Sequence, residues 1–184
     1  MVVALATLRG EGDSSLDHEL RRYYLACCRR IWRLLPQVGS RRGVEVAERH
    51  AHGTATEEEL SEANYHAEGA AFLIDYATDP SLLHEMETAL CAIEPGEMIK
   101  LVGRPLEELG YSPRELLKRA AYFVDYAMVS HRVRPKRLVP RSYTLFLSAD
   151  LLRAHFGNPF DGHAGIDADT SRAEKPDDGV IYFG

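Results

Sequence analysis

The side chains here that could do chemistry are eight histidines, three cysteines, twenty-eight carboxylates and twenty-two lysines and arginines, and their spacing limits what they can do together. Histidine is the first place to look for a metal-dependent hydrolase, with His50, His52, His66 and His84 as candidate ligands. His50 and His52 lie two residues apart, and such a pair on a helix points to different faces. Neither H-x-x-x-H nor C-x-x-C occurs, so the local spacings that bring two ligands to one zinc ion are missing. Glu58 and Glu62 share a helix face at i, i+4, but no E-x-x-H completes a di-iron motif; a solvated acidic face is the plainer reading. G-x-S-x-G, the P-loop and G-x-G-x-x-G are absent. The expectation is therefore a protein with no catalytic residues, metal or cofactor.

The basic residues are more informative. The net charge is −6 and the isoelectric point near 5.8, which supplies no global attraction to nucleic acid or to an anionic membrane. The layout is uneven. Eight arginines fall between Arg21 and Arg49 against Glu45 and Glu48, whereas eleven acidic residues and no lysine or arginine lie from Glu57 to Glu97. Guanidinium forks match carboxylates and phosphates bidentately, and tryptophan and arginine are enriched at binding hot spots. The candidate site is accordingly the surface of Arg29, Arg30, Trp32, Arg33, Arg41 and Arg42, with an acidic protein surface as its partner. The competing arrangement pairs these arginines with the acidic helices of the same chain. Trp32 then covers core surface with arginine stems packed on it. A second basic cluster, Arg132, Arg134, Lys136, Arg137 and Arg141, is interrupted by Pro135 and Pro140. The two basic clusters together offer an alternative function, binding of nucleic acid or a phosphate ligand, although the second lacks the aromatic interleaving of a single-strand platform.

The elements that position these groups read as helices. Leu16, Leu20, Tyr23, Cys27, Ile31 and Leu34 recur every three or four residues, so a first helix is expected over residues 16–35, stopped by Pro36. A second follows Ser40 and closes at Gly53, with Val44, Ala47 and Ala51 inward. Thr56 and Glu59 form a capping box for a third reaching Ala77, whose alanines permit close helix packing. Asp79-Pro80 starts a fourth, running to Glu94-Pro95-Gly96. Gly103 and Pro105 reduce residues 97–110 to one or two short helical turns. Ser112-Pro113 opens a fifth helix that reaches about His131, and Ser148 caps a short last one to Phe156. Tyr143 to Leu147 is too short to assign as strand or loop. The fold class is all-α: a single-domain helical bundle of about five main helices plus a short C-terminal helix.

The 184 residues suit one hydrophobic core. The division is an N-terminal extension over 1–13, a helical domain over 14–160 and an acidic tail over 161–184. The tail carries six carboxylates against Arg172 and Lys175, a net charge of −4, and ends in Val180-Ile181-Tyr182-Phe183. Its composition predicts a flexible segment, with docking of the apolar end on the body as the alternative. No apolar stretch is long enough for a spanning helix. An odd cysteine count and the lack of an export signal lead to the expectation of a cytoplasmic protein. Cys27 sits on the core stripe and Cys28 about 100° round from it, favouring ordinary burial over a reactive pair.

Three segments carry a resemblance: Leu25-Ala26-Cys27-Cys28-Arg29-Arg30-Ile31-Trp32-Arg33-Leu34-Leu35; Ser40-Arg41-Arg42-Gly43-Val44-Glu45-Val46-Ala47-Glu48-Arg49 with Thr56-Glu57-Glu58-Glu59-Leu60; and Phe156-Gly157-Asn158-Pro159-Phe160. They resemble an uncharacterised bacterial multi-copy family built on A-C-C-R-R-I-W, A-V-E-V-A-E-R and F-G-N-P-F motifs. The resemblance covers about residues 8–70 and 150–160. It implies a bacterial protein and carries no activity with it. The middle of the chain departs from that family's alanine-rich helix, and the acidic tail is a further departure.

Overall fold

In the computed structural model, residues 14–129 and 139–157 are described, and among them seven α-helices and three 3-10 turns occur with no strand. α1 (Ser14–Arg30) presents the stripe read from the sequence: Leu16, Leu20, Tyr23, Cys27, Ile31 and Leu34 are all at most 1% exposed. It ends earlier than the expected residue 35. Beyond Arg30 the chain tightens into a 3-10 turn, Trp32–Leu34, with Leu34 N–H donating to Ile31 O and Leu35 N–H to Trp32 O. The tighter turn keeps Leu34 and Leu35 buried while bending the chain ahead of Pro36.

α2 (Val38–Ala51) begins before Ser40, the residue it was expected to follow. Ser40 lies inside the first turn, fully buried. What the N-terminal turn of α2 must satisfy is its contact with α3 (Glu57–Tyr76). A Cβ on Gly39 would stand 2.6 Å from the backbone oxygen of His66 and 3.2 Å from the Ala70 Cβ, and one on Gly43 would stand 3.0 Å from the Ala67 Cβ. The two helices therefore meet nearly backbone to backbone, glycine on α2 against alanine on α3.

α3 starts with the expected box: Glu59 N–H donates to Thr56 Oγ1, and Thr56 N–H donates to the Glu59 carboxylate. Its far end is closed by Arg114, whose guanidinium donates to the carbonyls of Ile74, Asp75 and Ala77, the favourable place for a cation near a helix C-terminus. α4 (Pro80–Cys91) is capped by Asp79. The expected short turns after it include a proper helix, α5 (Pro95–Val102), with proline at its first turn and Gly103 in the left-handed conformation at its end. Pro95 and Gly96 open a helix there instead of only ending one. α6 (Pro113–Val129) and α7 (Ala149–Phe156) lie where the caps Ser112 and Ser148 place them, and the unassigned apolar pentad, apart from the extended Leu147, belongs to a 3-10 turn, Arg141–Phe146.

The protein is all-α, with α3 lying against α2 and α6 and one hydrophobic cluster drawn from every helix. Phe123 of α6 anchors an aromatic group, its ring 5.4 Å from Phe146 and 6.0 Å from Tyr143. The N-terminal extension 1–13, the cluster Arg132, Arg134, Lys136 and Arg137, and the tail 161–184 with Val180-Ile181-Tyr182-Phe183 lie outside the described residues.

Candidate anion-binding cleft

Each arginine of the sequence-based candidate site already has an acceptor within the chain. Arg29 forks onto Glu48 of α2 at 2.8 and 2.6 Å, and hydrogen bonding to that carboxylate holds its guanidinium above the usual range. Arg30 reaches across to α5 and donates to the carbonyls of Lys100 and Leu101, capping the end of that helix. Arg33 pairs with Glu97, and Arg42 lies 3.9 Å from Glu62. Arg41 donates to Leu35 O at 2.6 Å. Trp32 is half-buried against the core, with the guanidiniums of Arg29 and Arg41 at 4.3 and 5.4 Å from its ring. Of the two arrangements read from the sequence, these contacts match pairing within the chain: carboxylates and backbone carbonyls lie against the five arginines, and Trp32 lies between two of them.

Arg29 and Arg30 do border an open space. Between α1, α2, α5 and the segment 141–151 runs a cleft of about 2000 Å³. One wall bears Arg22, Arg29, Arg30 and Arg49; the other bears Lys100, Arg104 and Arg141. Among the described residues these seven cations face three lining carboxylates, Glu45, Glu48 and Asp150. The walls differ in a second respect. On the first, Arg22 and Arg49 are matched to Glu19 and Glu59, in addition to the Arg29–Glu48 fork. On the second, Lys100, Arg104 and Arg141 are exposed and their side chains have no acceptor among the described residues. Ile99, 47% exposed, and Leu109, Leu145 and Leu151 add apolar surface between the charges. Concave, low-dielectric walls of one sign concentrate field and favour an anionic occupant.

Of the six candidates read from the sequence, Arg29 and Arg30 border this cleft, and Lys100 and Arg104 were not among them. Neither belongs to a basic cluster; their signal is only that they are the first cations after the acidic run, on either side of the helix-ending Gly103. Arg33, Trp32, Arg41 and Arg42 do not line it.

A second concavity, about 880 Å³, opens beside Gln37, Val38, Phe72, Leu73 and Met86 and is predominantly apolar. The histidines are dispersed: His50 meets Glu57 at 2.9 Å, His52 Nδ1 lies 2.7 Å from Glu48 O, and His66 is 3.8 Å from Glu62. Among the described residues no three histidine, cysteine or acidic side chains are gathered as metal ligands. Cys27 and Cys28 are both buried, and burial pushes both thiols up and away from the reactive thiolate. No helix among the described residues is long and apolar enough to cross a membrane. No family model, curated protein or solved structure matches the chain.

Proposed function

We propose that the protein is an interaction module whose basic cleft receives an acidic segment of a partner protein. The observation that carries this reading is the trio Lys100, Arg104 and Arg141, cations without acceptors among the described residues, on the wall of a large cleft that already holds four arginines. A cation with a partner in the free protein must give it up to bind; an unpaired one gains an ion pair without that loss. A peptide suits the cleft better than single-stranded nucleic acid. Bases need open aromatic faces to stack on, and Tyr111, the lining tyrosine, has the Arg119 guanidinium 4.3 Å over its ring.

The test is fluorescence anisotropy with a labelled oligoglutamate and a labelled oligothymidylate across a salt series. Oligoglutamate binds and weakens as salt rises, and the Lys100→Gln/Arg104→Gln/Arg141→Gln variant loses about 10–100-fold in affinity, the sum of three partly exposed pairs. Equal binding by the triple variant would remove the cleft from the account. Tighter binding of oligothymidylate would transfer the site to nucleic acid.

A further inference from the structure

The cleft has a candidate occupant in the same chain. α7 ends at Phe156 and Gly157 follows it; His155, one residue before that end, already lines the cleft. The next carboxylate is Asp161, four residues past Gly157, a reach of up to about 14 Å. From there to Asp178 the chain carries Asp161, Asp167, Asp169, Glu174, Asp177 and Asp178 against Arg172 and Lys175, a net charge of −4. Among its described lining residues the cleft carries the opposite excess, seven lysines and arginines against three carboxylates. The match extends beyond charge. Val180-Ile181-Tyr182-Phe183 follow the acidic stretch, and Ile99, Leu109, Leu145 and Leu151 provide exposed or half-exposed apolar surface beside the cations.

We infer that residues 161–183 are the cleft's resident occupant, their carboxylates on Lys100, Arg104 and Arg141 and their apolar end on the neighbouring leucine and isoleucine surface. A segment tethered at the rim acts at an effective concentration of about millimolar, so a partner's acidic segment must displace it. The partner's chemistry follows: carboxylates clustered ahead of a short apolar run, on a segment that outcompetes a tethered copy of the same pattern. This inference rests on the reading of the cleft as a site for acidic segments.

Zero-length carbodiimide cross-linking of the full chain, read by mass spectrometry, tests it directly, because Lys100 supplies the one lysine amine among the described residues lining the cleft. Dilute monomer is expected to yield links from Lys100 to carboxylates of residues 161–178, abolished by Lys100→Arg and by high salt. A companion variant neutralises the six tail carboxylates (D161N, D167N, D169N, E174Q, D177N, D178N) and leaves the helices untouched; it is expected to bind the labelled oligoglutamate at least tenfold tighter than the parent. Links confined to a cross-linked dimer would assign the occupant to a second copy and overturn the intramolecular form. Absent links together with equal oligoglutamate binding by parent and variant would overturn this inference and leave the cleft's reading standing. If the tail-neutralised protein fails to bind oligoglutamate at all, the reading of the cleft falls and the inference falls with it.

Discussion

The two faces of α2 are built on opposite rules. Toward α3 it shows Gly39 and Gly43, with no room for a Cβ at Gly39 and barely any at Gly43. Toward the cleft it shows Glu45, Glu48 and Arg49, charged and bordered by open space. The first face is specified by shape, because an interior packed at crystal-like density has no tolerance for an added methyl group. The second is specified by pairing, because exposed charges are weakly held and can exchange partners. The comparison separates two jobs within one helix: the closed seam fixes where α2 lies, and the open face decides what the molecule can hold.

That separation can be broken by experiment, most severely at the seam. Gly39→Ala must push the His66 backbone away, at a cost of about 3 kcal/mol in chemical denaturation, while oligoglutamate affinity per folded molecule stays unchanged; a variant that unfolds no more easily would show the helices to be further apart than described. The triple neutralisation of Lys100, Arg104 and Arg141 should do the reverse, with its 10–100-fold loss of affinity accompanied by a stability change within about 0.5 kcal/mol, as for surface substitutions. Thr56→Ala removes one half of the capping box and should cost about 1 kcal/mol of stability without altering binding. Glu48→Gln is a finer probe of pairing itself. It leaves Arg29 without its carboxylate, so oligoglutamate should bind about 2–5-fold tighter, the worth of one exposed pair; weaker binding would mean that Arg29 needs Glu48 to hold it in place.

The smallest effect lies on α6, away from both faces. Burial pushes the Asp125 carboxyl up, aided by the charge of Glu68, and Tyr143 lies within the same electrostatic neighbourhood. A carboxyl with a raised folded value keeps its proton while the unfolded chain has released it, so it lowers stability as pH rises from the ordinary carboxylate value, about 3.9, through the folded one. Asp125→Asn should therefore be more stable than the parent at neutral pH, with the difference vanishing in acid below both values. A difference independent of pH in thermal unfolding would assign the effect to packing.

Much of the fold was legible because helix signals are local. The α1 stripe, the Thr56/Glu59 box, Asp79-Pro80, Ser112-Pro113 and Ser148 each act within about four residues, and the structure has helices where they point. Pro95-Gly96 was ambiguous, since proline both ends one helix and begins another, and α5 was reduced to turns. The start of α2 was expected after Ser40, whereas the seam with α3 puts Ser40 inside the helix and buried. The candidate site was less legible. The weighed alternative, pairing with the acidic residues 57–97, describes Arg33, Arg42 and Arg49, but Arg29 takes Glu48 from its neighbouring helix, and Arg30 and Arg41 take carbonyls.

The sequence by itself determined the helices' signals, their buried faces and the alternation of basic and acidic stretches, all consequences of the 3.6-residue period and of bonds between near neighbours. Only the tertiary structure decided which cations are spent and which remain. Arg30 finds its acceptors seventy residues away and Arg33 sixty-four, whereas Lys100, Arg104 and Arg141 find none among the described residues. Charge type is carried by the residue, but its availability depends on which side chains and helix ends the fold brings within hydrogen-bond reach.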